Sequence, residues 1–187
     1  MKMKKSILLF ALIILSLSIF AQEAKKNNTK KGNLKIEFKE LSDTAKIESD
    51  TEWAKSIVNQ KFPLIIETWF SERPDTVGKF MVVDFWGTWC RGCVAEIPKL
   101  NKLSKQFKKD FVFIGVTDET LSVVKGMKAQ AIEYYSATDT KNRMRYKLEL
   151  HMYPYALIID PKGIVRWQGT GDKVTEQLLK EIIKKYK

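Results

Sequence analysis

Two cysteines, Cys90 and Cys93, are the only ones among 187 residues, and they stand two residues apart in Trp89-Cys90-Arg91-Gly92-Cys93. A CxxC pair of this kind closes a small disulfide ring. It is suited to redox exchange when one thiol lies where an anion is stabilised. Here the pair follows a break, Gly87-Thr88, and precedes a new apolar period. Cys90 therefore falls at a helix start, where unsatisfied N–H groups and the positive end of the macrodipole favour a thiolate. Arg91 adds a positive charge beside it. Cys90 is expected to attack and Cys93, one turn in, to resolve. A static disulfide is the plain alternative, and a loop so short would stabilise the chain only modestly. Half of a zinc site is the other, but four ligands are needed and the chain offers one further candidate, His151. Asp84, six residues before Cys90, lies inside an apolar run; a carboxylate there is desolvated, so its pKa rises and it can exchange a proton with Cys93.

The elements that must hold these groups are readable from periodicity. Met81-Val82-Val83 and Phe85-Trp86 form a short β-branched and aromatic run, the pattern of a strand buried on both faces. Val94, Ile97, Leu100, Leu103 and Phe107 then recur three or four apart, with lysines between, as in an amphipathic helix. Phe111–Val116 is a second buried strand. Thr117-Asp118-Glu119 is expected to cap a helix over Leu121, Val124 and Met127, and Ile132–Tyr135 to form a short strand. A helix begun at Thr138 or Asp139 runs through Met144, Tyr146 and Leu148. Tyr155–Ile159 and Ile164–Trp167 make a hairpin around Asp160-Pro161-Lys162-Gly163. Val174–Tyr186 closes the chain as a helix with Leu178, Ile182 and Ile183 on one face. A βαβ unit, an antiparallel hairpin and a final helix predict an α/β sandwich around a mixed sheet.

The same residues resemble the thioredoxin superfamily, and within it the TlpA/ResA group of envelope thiol–disulfide oxidoreductases. The resemblance is carried by Gly78-Lys79, by Phe85-Trp86-Gly87-Thr88-Trp89-Cys90, by Cys93 with Glu96-Ile97-Pro98, and by two downstream blocks. These are Tyr153-Pro154 and Leu157-Ile158-Ile159-Asp160-Pro161-Lys162-Gly163. It spans residues 60–187 and implies a thioredoxin-like three-layer sandwich with a mixed central sheet and an N-terminal extension. The dipeptide between the cysteines usually ends in proline in this group; Arg91-Gly92 departs from that and leaves the redox potential open.

The resemblance assigns further roles. Pro154, which on pattern alone marks the start of a strand, becomes a cis-proline facing the cysteines, with the backbone of Tyr153 able to pair with an extended substrate peptide. Asp84 matches thioredoxins proper, whereas many members of the TlpA/ResA group carry Asn there. Glu96 resembles the acidic residue that group uses near its active site; its plainer reading is a helix-surface acid beside Arg91 or Lys99. Trp86 is expected to pack and Trp89 to form an apolar lip beside Cys90. His151 suggests a copper site with Cys90 and Cys93, or simply a loop histidine.

Lys2, Lys4 and Lys5 precede an apolar run from Ile7 to Phe20, with small-residue cleavage after Ala21. This is the layout of a secretory signal peptide over residues 1–21, with an uncleaved N-terminal anchor as the alternative. Residues 22–59 then form a tether and extension: a polar stretch from Gln22 to Asn33 with four lysines, an edge strand over Leu34, Ile36 and Phe38, and a short helix carrying Trp53 and Ile57 behind a Ser49–Glu52 capping box. Removing residues 1–21 takes away three lysines and no acids, so the net charge of +11 becomes +8. The charge is spread over solvated faces, with no nucleic-acid motif, which argues against nucleic-acid partners and leaves a mild preference for acidic ones. The expected function is an exported, monomeric thiol–disulfide oxidoreductase that reduces disulfides in envelope proteins. The same fold run as an oxidant, or a copper chaperone built on Cys90, Cys93 and His151, are the rivals; peroxidase is weaker, since the Pro and Thr pattern around a peroxidatic cysteine is missing. No flavin or nicotinamide motif is present, so no cofactor is expected and electrons come from another protein, with a membrane thiol carrier as donor and apocytochrome c cysteines among the substrates by family analogy.

Overall fold

The computed structural model describes Ser49, residues 52–128 and residues 131–187. The signal segment, the tether and the edge strand expected over Leu34–Phe38 lie outside them. In chain order the elements are β1 (Thr68–Trp69), β2 (Phe80–Phe85), α1 (Arg91–Gln106), β3 (Phe111–Thr117), α2 (Leu121–Lys125), β4 (Tyr135–Thr138), α3 (Arg143–Leu148), β5 (Tyr155–Ile159), β6 (Val165–Thr170) and α4 (Glu176–Tyr186), with a 3-10 turn at Gly171–Lys173 before α4.

The strands form one mixed sheet in the order β1-β4-β3-β2-β5-β6. β2, β3 and β4 run parallel; on one side β5 pairs antiparallel with β2 and β6 antiparallel with β5, and on the other β1 pairs antiparallel with β4. β2 is central because both its faces are apolar. Val83 and Phe85 pack with Val112, Ile114, Met144 and Leu148 on one side; Phe80 and Val82 pack with Phe113, Leu100, Leu103, Leu179 and Ile182 on the other. The pleat therefore separates α3 from α1 and α4, giving three layers. This is the thioredoxin-like architecture that the pattern and the resemblance imply.

Several elements differ from expectation. The helix predicted over Trp53 and Ile57 does not form, and those residues follow turns. Ser49 spends its hydroxyl on the N–H of Gln168 instead (3.1 Å), and the segment lies along β6 through Asn59 N–H to Val165 O (2.8 Å) and Val165 N–H to Gln60 O (3.0 Å). Pairing with a strand edge and burial of Ala54, Ile57 and Phe62 outweigh a local capping signal. β4 begins at Tyr135, three residues later than expected, because the pairing that sets it is with Ile114–Thr117 rather than with apolar periodicity. α2 is capped at Thr120, with Glu119 turned elsewhere, and buries none of its residues. α3 starts at Arg143, while Asp139 accepts the N–H of Met144 (2.9 Å) and the Arg143 Nε (2.7 Å) from outside the helix.

Candidate functional site

The cysteines sit where β2 gives way to α1. Cys90 is the N-cap of α1, and its Sγ accepts the N–H of Cys93 at 3.1 Å. The first turn of α1 holds no acidic side chain, so the helix's free donors have no competing carboxylate there. Cys90 and Cys93 form a disulfide with Cα atoms 5.2 Å apart, and Trp86 packs against both. Both cysteines are buried, Cys90 7% and Cys93 3% exposed. The indole of Trp86 is 1% exposed, whereas Trp89 is 60% exposed, so the two tryptophans divide as the sequence suggests.

Three contacts shape the loop before Cys90. Gly87 is required by close approach, since a Cβ there would stand 2.6 Å from the Trp89 Nε1. Thr88 donates both its N–H and its Oγ1 hydroxyl to the Glu119 carboxylate, each at 2.6 Å. Trp89 stacks on Tyr153 with ring centroids 5.5 Å apart and planes inclined by 18°. The Tyr153–Pro154 bond is cis. A Cβ at Gly92 would lie 3.4 Å from Pro154 Cδ, ordinary contact distance, which places the proline ring against the first turn of α1. The Arg145 guanidinium lies 5.5 Å over the Tyr153 ring. Burial, with the charge of Asp118 adding to it, pushes the Tyr153 phenol up to about 12, so it stays protonated.

Asp84 shares the α1 face of β2 with Phe80, Val82 and Trp86, by pleat alternation. It is 5% exposed, and the Tyr134 hydroxyl donates to its Oδ2 at 3.0 Å. Burial pushes the Asp84 carboxyl up to about 7; the Tyr134 hydrogen bond opposes this, Glu96 adds to it and Lys99 lowers it. Glu96 is half-buried and ion-paired to Lys99, the pairing of its plainer reading. Lys99 also donates to the carbonyls of Gly171 (3.1 Å) and Asp172 (2.9 Å).

Arg91 is exposed at the mouth of a groove of about 560 Å³, bounded by Thr88, Val94, Val123, Met127 and Lys128. The groove starts beside the cysteines and carries two cationic side chains. His151 is exposed, its backbone N–H donating to Trp53 O. Among the described residues no group of three or more His, Cys, Asp or Glu converges to hold a metal ion, so the copper triad of Cys90, Cys93 and His151 is not assembled. Sequence reasoning missed Tyr134 and Glu119. Tyr134 carries a partial signal, since a buried tyrosine needs a partner for its hydroxyl and a mid-strand aspartate can be one; Glu119, whose partner Thr88 lies far off in sequence, carries none.

The AhpC/TSA family model matches residues 70–168, the segment that contains Asp84, both cysteines, Glu96, Tyr134 and the cis-proline. The thiol-disulfide oxidoreductase ResA of Bacillus subtilis is 29% identical over 111 residues, which cover 58% of this chain and 62% of ResA. The thiol:disulfide interchange protein DsbE of Haemophilus influenzae is 31% identical over 112 residues, covering 58% and 61%. The chain thus spans less than two thirds of the length of these curated relatives. Among solved structures, the thioredoxin domain of a thiol-disulfide oxidoreductase from Bacteroides vulgatus superposes with a TM-score of 0.56 at 18% identity, covering 70% of this chain and 98% of that domain. At that identity the likeness speaks for the fold.

Proposed function

We propose that this chain, which belongs to the AhpC/TSA family of thioredoxin-like proteins, is an exported thiol–disulfide oxidoreductase that reduces disulfides in other exported proteins. The observation that carries the reading is the Cys90 Sγ at the N-cap of α1, accepting the Cys93 N–H (3.1 Å) in a turn without acids. That setting favours a thiolate at the outer sulfur of the pair.

In the reduced protein the Cys90 thiolate attacks one sulfur of a substrate disulfide. A Cys90–substrate bond forms, the substrate disulfide breaks, and one substrate thiolate leaves. Cys93 then loses its proton and attacks the Cys90 sulfur. The Cys90–Cys93 bond forms, the second substrate thiolate leaves, and two electrons have passed from the dithiol to the substrate. Asp84, buried on the α1 face of the sheet and half-protonated near neutrality, is the acceptor for the Cys93 proton. Glu96 and Lys99 set the charge around it. Trp89 and Tyr153 form an apolar lip for the substrate chain, and the backbone of Tyr153 pairs with it in extended form. Arg91 lines the adjoining groove. Export is supported by the signal-like residues 1–21, and the resemblance to the TlpA/ResA group makes a membrane thiol carrier the electron donor and apocytochrome c cysteines a substrate class.

Replacing Cys93 with Ala tests the assignment. The variant is expected to accumulate mixed disulfides at Cys90 when offered a disulfide-bearing protein, because nothing resolves them. Adducts of equal yield at Cys93 in a Cys90→Ala variant would reverse the two roles.

A further inference from the structure

We propose that Tyr134 is a positioning residue for the proton transfer, its buried phenol holding the Asp84 carboxylate ready to accept the proton of Cys93. The inference rests on the oxidoreductase reading but names a residue outside the CxxC motif and the cis-proline loop.

The geometry is built for this contact. Asp84 pairs across the sheet with Gly115 on one side and Ala156 on the other, so its neighbours on that face are the smallest available. A Cβ at Gly115 would stand 3.1 Å from the Tyr134 Cε2 and 3.1 Å from the Trp86 Nε1. Glycine is therefore what lets the Tyr134 ring lie over β3 and reach β2. The hydroxyl ends 3.0 Å from the Asp84 Oδ2, with both side chains buried. On the far side, a Cβ at Gly171 would lie 3.9 Å from Asp84 Oδ1 and 3.2 Å from Pro154 Cβ. The carboxylate is thus anchored at one oxygen by Tyr134, while the other faces the turn that backs the cis-proline.

The charged and titratable groups around Asp84 are few. α1 contributes Glu96, which disfavours the carboxylate, and Lys99, which favours it from its anchorage on Gly171 and Asp172. β3, β5 and β6 present Gly115, Ala156 and Gly169 in register and bring no charge. The buried residues of α4, Leu178, Leu179 and Ile182, are apolar. Among the described residues Tyr134 is the group that hydrogen-bonds the carboxylate directly, and its own phenol, raised by burial and by Asp84, stays a donor across the working range. A phenol donates more strongly to a carboxylate than to a neutral acid. Removing it leaves burial less opposed, and Asp84 holds its proton to higher pH.

In the step concerned, the Cys93 Sγ–H proton passes to Asp84. The Cys93 thiolate attacks the Cys90 sulfur of a mixed disulfide, the Cys90–Cys93 bond forms, and the substrate thiolate leaves with the electron pair of the broken bond. An Asp84 already protonated cannot accept.

The test uses the reduced full chain and the aromatic disulfide 5,5′-dithiobis(2-nitrobenzoate). Release of the first thionitrobenzoate reports attack by Cys90, and release of the second reports resolution by Cys93. Across pH 5.5–9, Tyr134→Phe is expected to move the acid limb of the second phase upward by about one pH unit, with the first phase unchanged. The same substitution in an Asp84→Asn background should move nothing. A uniform slowing with the midpoint in place, or an equal shift in the Asp84→Asn background, overturns the proposal. Carbon-13 NMR of the Asp84 carboxyl in the oxidised protein supplies a readout independent of turnover. If Tyr134→Phe raises that titration while no variant releases a second thionitrobenzoate, the oxidoreductase reading fails and the Tyr134–Asp84 contact stands. If release proceeds but the titration does not move, the proposal fails alone.

Discussion

Asp84→Asn should make the oxidised protein more stable, by an amount that depends on pH in a defined way. The Asp84 carboxyl has a folded value of about 7 against 3.8 for the free side chain. The folded chain therefore keeps a proton that the unfolded chain has released between pH 3.8 and about 7, and stability falls as pH rises through that window. Below it both states are protonated; above it both are ionised and the burial penalty is complete. About three pH units at about 1.36 kcal/mol each give a ceiling of about 4 kcal/mol. Water entering around the ionised group brings the working range to about 2–4 kcal/mol. The Asn side chain keeps the volume and an oxygen for the Tyr134 hydroxyl, but does not titrate. For a domain of this size 1 kcal/mol moves Tm by about 3 °C. About 2.5 of those pH units lie above pH 4.5, so the Tm advantage of the variant should grow by roughly 5–9 °C between pH 4.5 and pH 8 and then level off. Thermal melts of both oxidised proteins at half-unit pH steps measure it, and the pH-dependent part alone counts, since any packing offset is constant. An advantage that does not change between pH 4.5 and 8, or that shrinks as pH rises, would refute the buried-carboxylate argument.

Two further outcomes follow from particular hydrogen bonds. Gln168 is fully buried, accepts the Ile57 N–H (2.8 Å) and donates to Lys55 O (3.1 Å) and Tyr155 Oη (2.8 Å), so Gln168→Leu should cost about 2–4 kcal/mol by urea titration and expose residues 52–60 to limited proteolysis before the sheet unfolds. Glu119→Ala removes the acceptor shared by the Thr88 N–H and hydroxyl, so it should lower stability by about 1–2 kcal/mol and speed hydrogen exchange at the Thr88 amide; unchanged exchange there would mean the clamp does not hold the loop.

Much of the site is legible in the sequence because it rests on local signals. The central strand, the break at Gly87-Thr88 and the helix behind Cys90 are consecutive, and their periods of two and 3.6 are set by backbone geometry alone. The β5 strand, Tyr155–Ile159, has the bounds its apolar run suggests, and the Asp160–Gly163 turn follows from residue types, with Asp160 Oδ1 accepting the N–H groups of Lys162 and Ile164. What is not legible is long-range. Glu119 reads as part of a helix cap because its neighbours are Thr117 and Asp118, yet its partner lies 31 residues earlier, at Thr88. Tyr134 reads as strand, and its partner is 50 residues away across β3. Ser49 and Glu52 fit a capping box, but the segment is held instead by partners more than a hundred residues on: the Gln168 backbone N–H donates to the Ser49 hydroxyl and the Gln168 side chain accepts the Ile57 N–H. Asp84 was visible as an anomaly in an apolar strand; which groups compensate it depends on what the sheet brings alongside.

The central claim is that Cys90 and Cys93 cycle as a redox pair with Cys90 outermost, and stoichiometric electron transfer tests it most directly. The reduced full chain is mixed with a known amount of insulin, quenched with acid and an alkylating agent, and both proteins are weighed by mass spectrometry. One Cys90–Cys93 disulfide is expected to form for every two insulin thiols released, with Cys90→Ser inactive and Cys93→Ser stalled as a Cys90–insulin adduct. A reduced chain that releases no insulin thiols, or one whose Cys90→Ser variant still does, would contradict it.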